Sequence, residues 1–410
     1  MKFLFNAINV SQATAGDAIS QMKRLAIITT HPIQYYAPVF KLLQTRGNIS
    51  IKVFYTWGKA ALQKYDPGFG REVAWDIPLL EGYPYEWVEN ISVAPGSHHF
   101  KGIVNPSLNK KITECKPDAV LVFGWAYFSH LKALLHFKNK IPVLFRGDST
   151  LLDKCSSPKE FFRLIFLKWV YRHVDYVLYP GINARAYFKK HGLKEKQLIL
   201  APHAVDNDRF AQKKEQSAKE IRNSLGIADQ ETLILFAGKL EEKKDPVLLL
   251  NSFLALNQPG CHLLFAGNGM LEQALKSKSA GCSNIHFINF QNQAYMPVIY
   301  QACDLFCLPS KGPNETWGLA VNEAMAAGKA VVVSDKTGCA ADLVKNDYNG
   351  YLFKNGSEQA LTDVLRKITT SKDVQMMLGK NSAAIISEWS FTKIALAIEN
   401  IILNEPYRPN

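Results

Sequence analysis

Short, almost uninterrupted apolar runs alternate with amphipathic stretches along nearly the whole chain, and this alternation is what most limits its fold. Segments 25–29, 51–55, 119–123, 143–145, 176–179 and 198–201 form a first set of such runs. Segments 233–237, 263–266, 285–288, 305–308, 330–334 and 350–353 form a second. Runs this short and this continuous suit strands buried on both faces. Helical periodicity fills many of the gaps, at 36–46, 128–138, 158–173, 245–257 and 359–370. Strands alternating with helices imply parallel sheets with helices on both sides, an α/β protein. Two sets of about six strands fit two doubly wound, Rossmann-like domains better than one very wide sheet. The expected domains are 23–203 and 204–388, with a linker near 202–210. Two such domains face each other across a cleft at the carboxyl ends of their strands.

The chain has 410 residues, enough for two or three domains with full cores. Its 47% hydrophobic and 20% charged residues are those of a globular protein. No apolar run approaches the ~20 residues that span a bilayer. Seven cysteines, at 115, 155, 261, 282, 303, 307 and 339, have no pairing rhythm and read as reduced thiols in a cytoplasm. Residues 1–22 precede or include a second natural start, Met22, and read as an extension, loosely ordered or mis-set. A secretory signal is the alternative, but Asn6 and Asn9 interrupt its apolar core. Charge is uneven. Residues 1–200 hold 27 Lys+Arg and 14 Asp+Glu, a net of +13, whereas residues 201–410 hold 21 and 22, a net of −1. The first half therefore expects an anionic partner such as a membrane surface or a lipid pyrophosphate. Basic strands interleaved with aromatics are missing, so nucleic acid is not expected.

The chemistry concentrates around Glu315-Thr-Trp-Gly-Leu-Ala-Val-Asn-Glu323. This predicts a loop, a helix beginning near Trp317 or Gly318, a stop at Gly328 and a strand at 330–334. Glu315 lies just before the helix and Glu323 about two turns inside, roughly 12 Å along the axis. The helix N-terminus suits a phosphate, and flanking carboxylates suit sugar hydroxyls. Gly238-Lys239-Leu-Glu-Glu-Lys-Lys244 follows the first strand of the second set, and its two lysines suit a pyrophosphate. A solvated basic turn is the plainer alternative. Gly267-Asn-Gly269 closes the next strand, a tight turn beside the nucleotide. On the first half, His31 and Gln34 follow one strand and Arg146 ends another, so all three are placed toward the cleft, Arg146 for an anion or a hydroxyl, with a structural role as the alternative for each segment. Asp206-Asn-Asp208 has a metal-binding spacing, but reads as a capping linker, and no metal site is expected. The basic, aromatic helix at 158–173 reads first as core packing, with a membrane surface as the alternative.

Together these residues resemble the family 4 retaining glycosyltransferases of the GT-B fold. The resemblance rests on Gly238-Lys239…Lys244, on Glu315-x₇-Glu323 with Gly318, and on Glu323-Ala-Met-Ala-Ala-Gly328. Val205–Phe210, Leu308-Pro-Ser310 and Gly338-Cys-Ala-Ala-Asp342 support it. It implies that Lys239 and Lys244 hold the donor pyrophosphate and Glu315 the donor sugar. Backbone N–H groups near Trp317, Gly318 and Leu319 would meet sugar or phosphate, and Glu323 the ribose. Lys239, Lys244 and Glu315 are the expected catalytic group. Gly238, Gly267 and Arg146 complete the expected donor site, with His31 and Gln34 on the acceptor side. The last segment, 389–410, would cross back to the first domain. Asp245 stands where the family often has glycine, and Thr30–Gln34 replace its glycine-rich first loop.

The implied reaction moves a hexose from a nucleoside-diphosphate sugar to a hydroxyl of a glycan or lipid-linked acceptor, without cofactor or metal. Its setting would be cell-surface polysaccharide or lipopolysaccharide biosynthesis, in the cytoplasm or at the inner membrane face, with peripheral contact to anionic lipid. Retaining glycosidases place two carboxylates about 5–5.5 Å apart, one as nucleophile. Glu315 and Glu323 are too distant for that, so a front-face route without a covalent intermediate is expected. A sugar-nucleotide epimerase, a phosphorylase and a non-catalytic nucleotide-sugar binder are the alternatives.

Overall fold

In both main sheets every strand is parallel to its neighbours and most strand residues are buried, which is why the sequence shows apolar runs rather than alternation. A computed structural model describes residues 22–62, 64–66, 68–153 and 158–404. The expected extension at 1–21, Cys155 and the last six residues of 389–410 lie outside the described residues.

The first sheet has seven strands in the order β5-β2-β1-β6-β7-β8-β9. Its strands are β1 (Arg24–Thr29), β2 (Ser50–Tyr55), β5 (Tyr85–Trp87), β6 (Ala119–Phe123), β7 (Val143–Arg146), β8 (Tyr176–Tyr179) and β9 (Leu198–Leu200). Between β2 and β5, a small antiparallel hairpin of β3 (Lys64–Asp66) and β4 (Arg71–Val73) stands apart. The second sheet has six strands in the order β12-β11-β10-β13-β14-β15. These are β10 (Thr232–Ala237), β11 (Cys261–Ala266), β12 (Ile285–Ile288), β13 (Leu305–Leu308), β14 (Ala330–Ser334) and β15 (Gly350–Phe353).

Strand order reverses between β1 and β6 in the first sheet and between β10 and β13 in the second. Such switch points open a crevice beyond the carboxyl ends of the strands. The turns after β1, β10 and β13 carry Gln34, Lys239 and Glu315, so topology alone gathers the sequence motifs. The chain then returns. The closing helix Phe391–Asn404 buries Ile394, Ala395, Ile398 and Ile401 in the core on one face of the first sheet. Arg46 fixes it with a charge-assisted pair to Glu399, 2.9 Å from Nε to Oε1.

The capping reading of Asp206 and the packing reading of the 158–173 helix can both be set against the structure. Asp206 caps the short helix Asn207–Ala211 by accepting from the Arg209 N–H at 3.1 Å. Among the described residues no group of three His, Cys, Asp or Glu is placed to hold a metal ion. The expected core packing of the aromatic stripe is corrected. Helix Pro158–Tyr171 buries Leu167, Val170 and Tyr171, while Phe161, Phe162, Ile165, Phe166 and Trp169 are exposed. The helix is apolar on both sides, and periodicity finds a stripe without saying which way it turns. No helix among the described residues is long and apolar enough to cross a membrane.

Candidate functional site

β10 and β11 run in register from Thr232–Cys261 to Ala237–Ala266, so their following glycines arrive side by side. A Cβ on Gly267 would lie 2.1 Å from the Gly238 carbonyl oxygen, which only glycine avoids. This close approach leaves a bare backbone floor at the carboxyl end of the sheet. Lys244 ends a single helical turn, Glu242–Lys244. Asp245 follows it at φ 48°, the left-handed region, and caps helix Pro246–Leu256 by accepting from the Leu248 N–H at 3.3 Å. An acid thus performs the turn that glycine would otherwise make, and adds a cap.

Lys244 Nζ lies 3.0 Å from Glu315 Oε2, with both side chains largely buried. Glu315 is placed in turn by β-like bonds from the next loop. Gly338 N–H donates to the Glu315 carbonyl at 3.1 Å, and Cys339 N–H to the Trp317 carbonyl at 2.9 Å. Gly318 then caps helix Leu319–Ala326, whose first turn looks into a cavity of about 360 Å³. Gly238, Lys239, Lys244, Gly267, Leu319 and Glu323 line that cavity. Its size is that of a small-molecule site.

Glu323 is held at both oxygens. Tyr35 donates from the first domain to Oε1 at 3.0 Å, and Tyr300 from the second to Oε2 at 2.9 Å. Burial raises the Glu323 carboxyl above its ordinary value, and the two tyrosine hydroxyls, Arg209 and Gln293 partly offset this. Arg209 holds Gln293 through Nη2 to Oε1 at 2.8 Å and through the Gln293 carbonyl.

The first domain closes the cavity through the hairpin. Asp66 Oδ1 is 2.7 Å from Lys239 Nζ, and the Phe69 ring lies beneath the same ammonium at 5.0 Å. Burial alone would raise the Asp66 carboxyl, but Lys239 and the N–H groups of Gly68 and Phe69 hold it below its ordinary value. Gln34, Asp66 and Trp75 also line a second cavity of about 480 Å³, which contains His31. The two cavities therefore adjoin, one floored by the second domain and the other walled by the first. His31 Nδ1 lies 2.8 Å from Thr30 Oγ1, with its ring edge-on to Trp57.

Two predicted donor residues lie elsewhere. Arg146 is buried, and its guanidinium donates to the carbonyls of Leu178, Ala201 and Pro202, tying off strand ends rather than facing the cavity. The Trp317 side chain is also buried. Its Nε1 donates to Asn322 Oδ1 at 2.8 Å, and Asn322 donates to the His203 carbonyl at 3.0 Å. Trp317 thereby braces the motif helix against the interdomain linker. Asp66, Tyr35, Tyr300, Gln293 and Arg209 were not singled out for the site. The Tyr35-Tyr36 pair after β1 was the available signal for Tyr35.

Residues 217–384, which include every lysine and carboxylate of the second-domain wall, match the family described as glycosyl transferases group 1. The second domain belongs to the glycosyl transferases group 1 family. The chain resembles D-inositol 3-phosphate glycosyltransferase of Corynebacterium jeikeium, 26% identical over 214 residues, 49% of this chain and 50% of that protein. It also resembles a Campylobacter jejuni N,N'-diacetylbacillosaminyl-diphospho-undecaprenol alpha-1,3-N-acetylgalactosaminyltransferase, 28% identical, covering 36% of this chain and 42% of that protein. The chain spans about half the length of the curated relatives it matches. In fold, it is similar to Anabaena HepE in complex with UDP and glucose. The TM-score is 0.66 at 19% identity, over 92% of this chain and 98% of the other. The group 1 domain thus sits in a two-domain GT-B architecture, with the closing helix on the partner domain.

Proposed function

We propose that the chain is a retaining glycosyltransferase. It moves a hexose from a nucleoside-diphosphate sugar to a hydroxyl of a glycan or lipid-linked acceptor, in cell-surface polysaccharide assembly. The observation that carries this reading is the convergence of Lys239, Lys244 and the first turn of helix Leu319–Ala326 on one cavity, with Glu315 paired to Lys244 behind the lining. In this reading the diphosphate lies against the glycine floor, between the two ammonium groups. The unpaired N–H groups of the helix start add partial positive charge there. Glu323 accepts from the ribose hydroxyls and Glu315 from the hexose. The acceptor approaches from the adjoining cavity of His31 and Gln34.

As the bond from the anomeric carbon to the diphosphate oxygen breaks, negative charge grows on that oxygen. Lys244 and the helix start already face it, and Lys239 joins them once the diphosphate has displaced Asp66. The acceptor oxygen then bonds to the anomeric carbon on the face the diphosphate leaves, and its proton passes to the departing phosphate oxygen. In this reading no carboxylate serves as nucleophile and no metal takes part. A UDP complex of a protein with this fold makes UDP-hexoses the first donors to try.

The test is a donor panel read by melting temperature, followed by single-turnover transfer with the product anomer assigned by NMR. A nucleoside diphosphate should raise the melting temperature, and Lys244→Ala should lose turnover by about 10²-fold or more. Wild-type turnover in Lys244→Ala, or an inverted product, refutes the mechanism. Donor loss without an acceptor would favour an epimerase, and dependence on free phosphate a phosphorylase.

A further inference from the structure

Helix Pro158–Tyr171 turns its apolar side away from the protein. Phe161 is 63% exposed, Phe162 71% and Ile165 53%, and Phe166 and Trp169 are each 40% exposed. At ~100° per residue these five fall on one arc, opposite the arc of the buried Leu167, Val170 and Tyr171. Exposed Lys168 and Lys159 stand at the two edges of the apolar arc, Arg163 lies beyond Lys159, and exposed Arg172 follows the helix end. The helix has a single acid, Glu160, which lies 4.0 Å from Lys190 on the neighbouring helix Ile182–Lys190. Trp125 meets Phe166 edge-on at 5.4 Å, so the patch rests on the domain body.

From this arrangement we propose that the outward face of helix Pro158–Tyr171 docks in the plane of an anionic lipid bilayer. The aromatic side chains enter the headgroup boundary and the flanking cations meet lipid phosphates. A contiguous apolar strip of this kind on a soluble domain marks an interaction site. Its cationic borders select the occupant. Two copies of this chain meeting helix to helix would bring like charges together, whereas a surface of lipid phosphates complements both borders at once. The whole first half carries the same sign, 27 Lys+Arg against 14 Asp+Glu over residues 1–200.

The placement also suits the cleft. Just before the helix, Asp153 Oδ2 accepts from the Asn314 N–H at 2.8 Å, and Asp148 Oδ2 from Thr316 Oγ1 at 2.9 Å. These contacts touch the loop that carries Glu315, so a bilayer on this helix lies near the mouth of the site. The docking itself does not depend on the proposed transfer and is tested without donor or acceptor.

The full chain is mixed with vesicles of phosphatidylcholine alone, or of equal parts phosphatidylcholine and phosphatidylglycerol, and floated on a density gradient. It should float with the anionic vesicles and much less with the neutral ones. Flotation should weaken at 1 M salt, where the Debye length shrinks to about 3 Å. The double variant Phe162→Ser with Trp169→Ser should lose vesicle affinity by about ten-fold per ring, while its melting temperature and its nucleotide-induced melting shift stay at the wild-type value. Lys168→Glu with Arg172→Glu should lose the preference for anionic vesicles. Wild-type chain that does not float, or an aromatic double variant that floats as well as wild type, overturns the proposal. So does a wild-type dimer that the aromatic variant dissolves while no vesicle is bound.

Discussion

At the residue scale, the pair Lys244–Glu315 carries two jobs that can be separated. Both groups are largely buried, so removing the cation leaves a carboxylate without compensation. Lys244→Ala should therefore cost about 3 kcal/mol of stability as well as turnover. Adding Glu315→Gln should restore much of the stability and none of the activity, a result read by denaturant titration beside the transfer assay. A double variant as unstable as the single one would mean that the pair is not what the loop depends on. Glu323 gives a second residue-scale expectation. Burial raises its carboxyl, so it takes up a proton at a higher pH than an ordinary glutamate. Protonated, it keeps fewer lone pairs for ribose hydroxyls. Nucleotide affinity should fall on acidification before ordinary carboxylates titrate, and Glu323→Gln should flatten that profile in calorimetric titrations from neutral to mildly acid pH. The stability sign is opposite. With its folded value above its unfolded one, this carboxyl contributes most below the unfolded value, and that contribution is lost as pH rises through the folded value.

At the element scale, the Glu315 loop is positioned from outside itself. The backbone of Gly338 and Cys339 runs beside Glu315 and Trp317, and a Cβ on Gly338 would lie 1.8 Å from the Thr316 carbonyl oxygen. Gly338→Ala must push that loop, although Gly338 touches no part of the cavity. It should lower the melting temperature and raise the KM for the donor, and steady-state kinetics beside calorimetry would check both. An unchanged KM would show that the loop absorbs the displacement. The same scale explains what the sequence made legible. Twelve strands of the two main sheets were visible because parallel strands covered on both faces leave continuous apolar runs. Strand β5 (Tyr85–Trp87) escaped because Glu86 interrupts its three residues and leaves no apolar run, whereas the equally short edge strand β9 reads Leu-Ile-Leu. The β3–β4 hairpin escaped because it belongs to neither sheet. Asp66 was hidden with it, since nothing in a local pattern announces an ion pair 173 residues away. Arg146 and Trp317 were placed correctly at strand and helix ends, but position along an element does not fix where a long side chain turns. Arg146 turned back to carbonyls left open at the strand ends, and Trp317 to the linker.

At the scale of the whole molecule, the two domains meet through polar contacts around the cleft. Asp66 reaches Lys239, Tyr35 reaches Glu323, Asn292 Nδ2 donates to the Ala74 carbonyl at 2.7 Å, and Asp342 accepts from the Ile182 N–H at 3.0 Å. In the Asp66–Lys239 pair a carboxylate stands where the proposed donor would put phosphate oxygens. Donor and hairpin then compete for one ammonium. Asp66→Asn should tighten nucleoside diphosphate binding by about three- to five-fold, the worth of a partly exposed ion pair. Weaker binding in that variant would mean that Asp66 supports the bound state instead.

The return of the chain has a mechanical consequence. The polypeptide crosses between the domains twice, once ahead of Asn207 and once between helices Lys372–Ile386 and Phe391–Asn404. Asn207 Nδ2 binds the two crossings together through the carbonyls of Ile386 and Trp389, at 3.0 and 3.2 Å. Two pins on one line leave a body free to swing but not to slide or twist. Any opening of the lips must then be a rotation about that line, in which a small angle at the pins becomes a long travel at the mouth. Asn207 sits on the axis, where the motion is least and a single amide can hold.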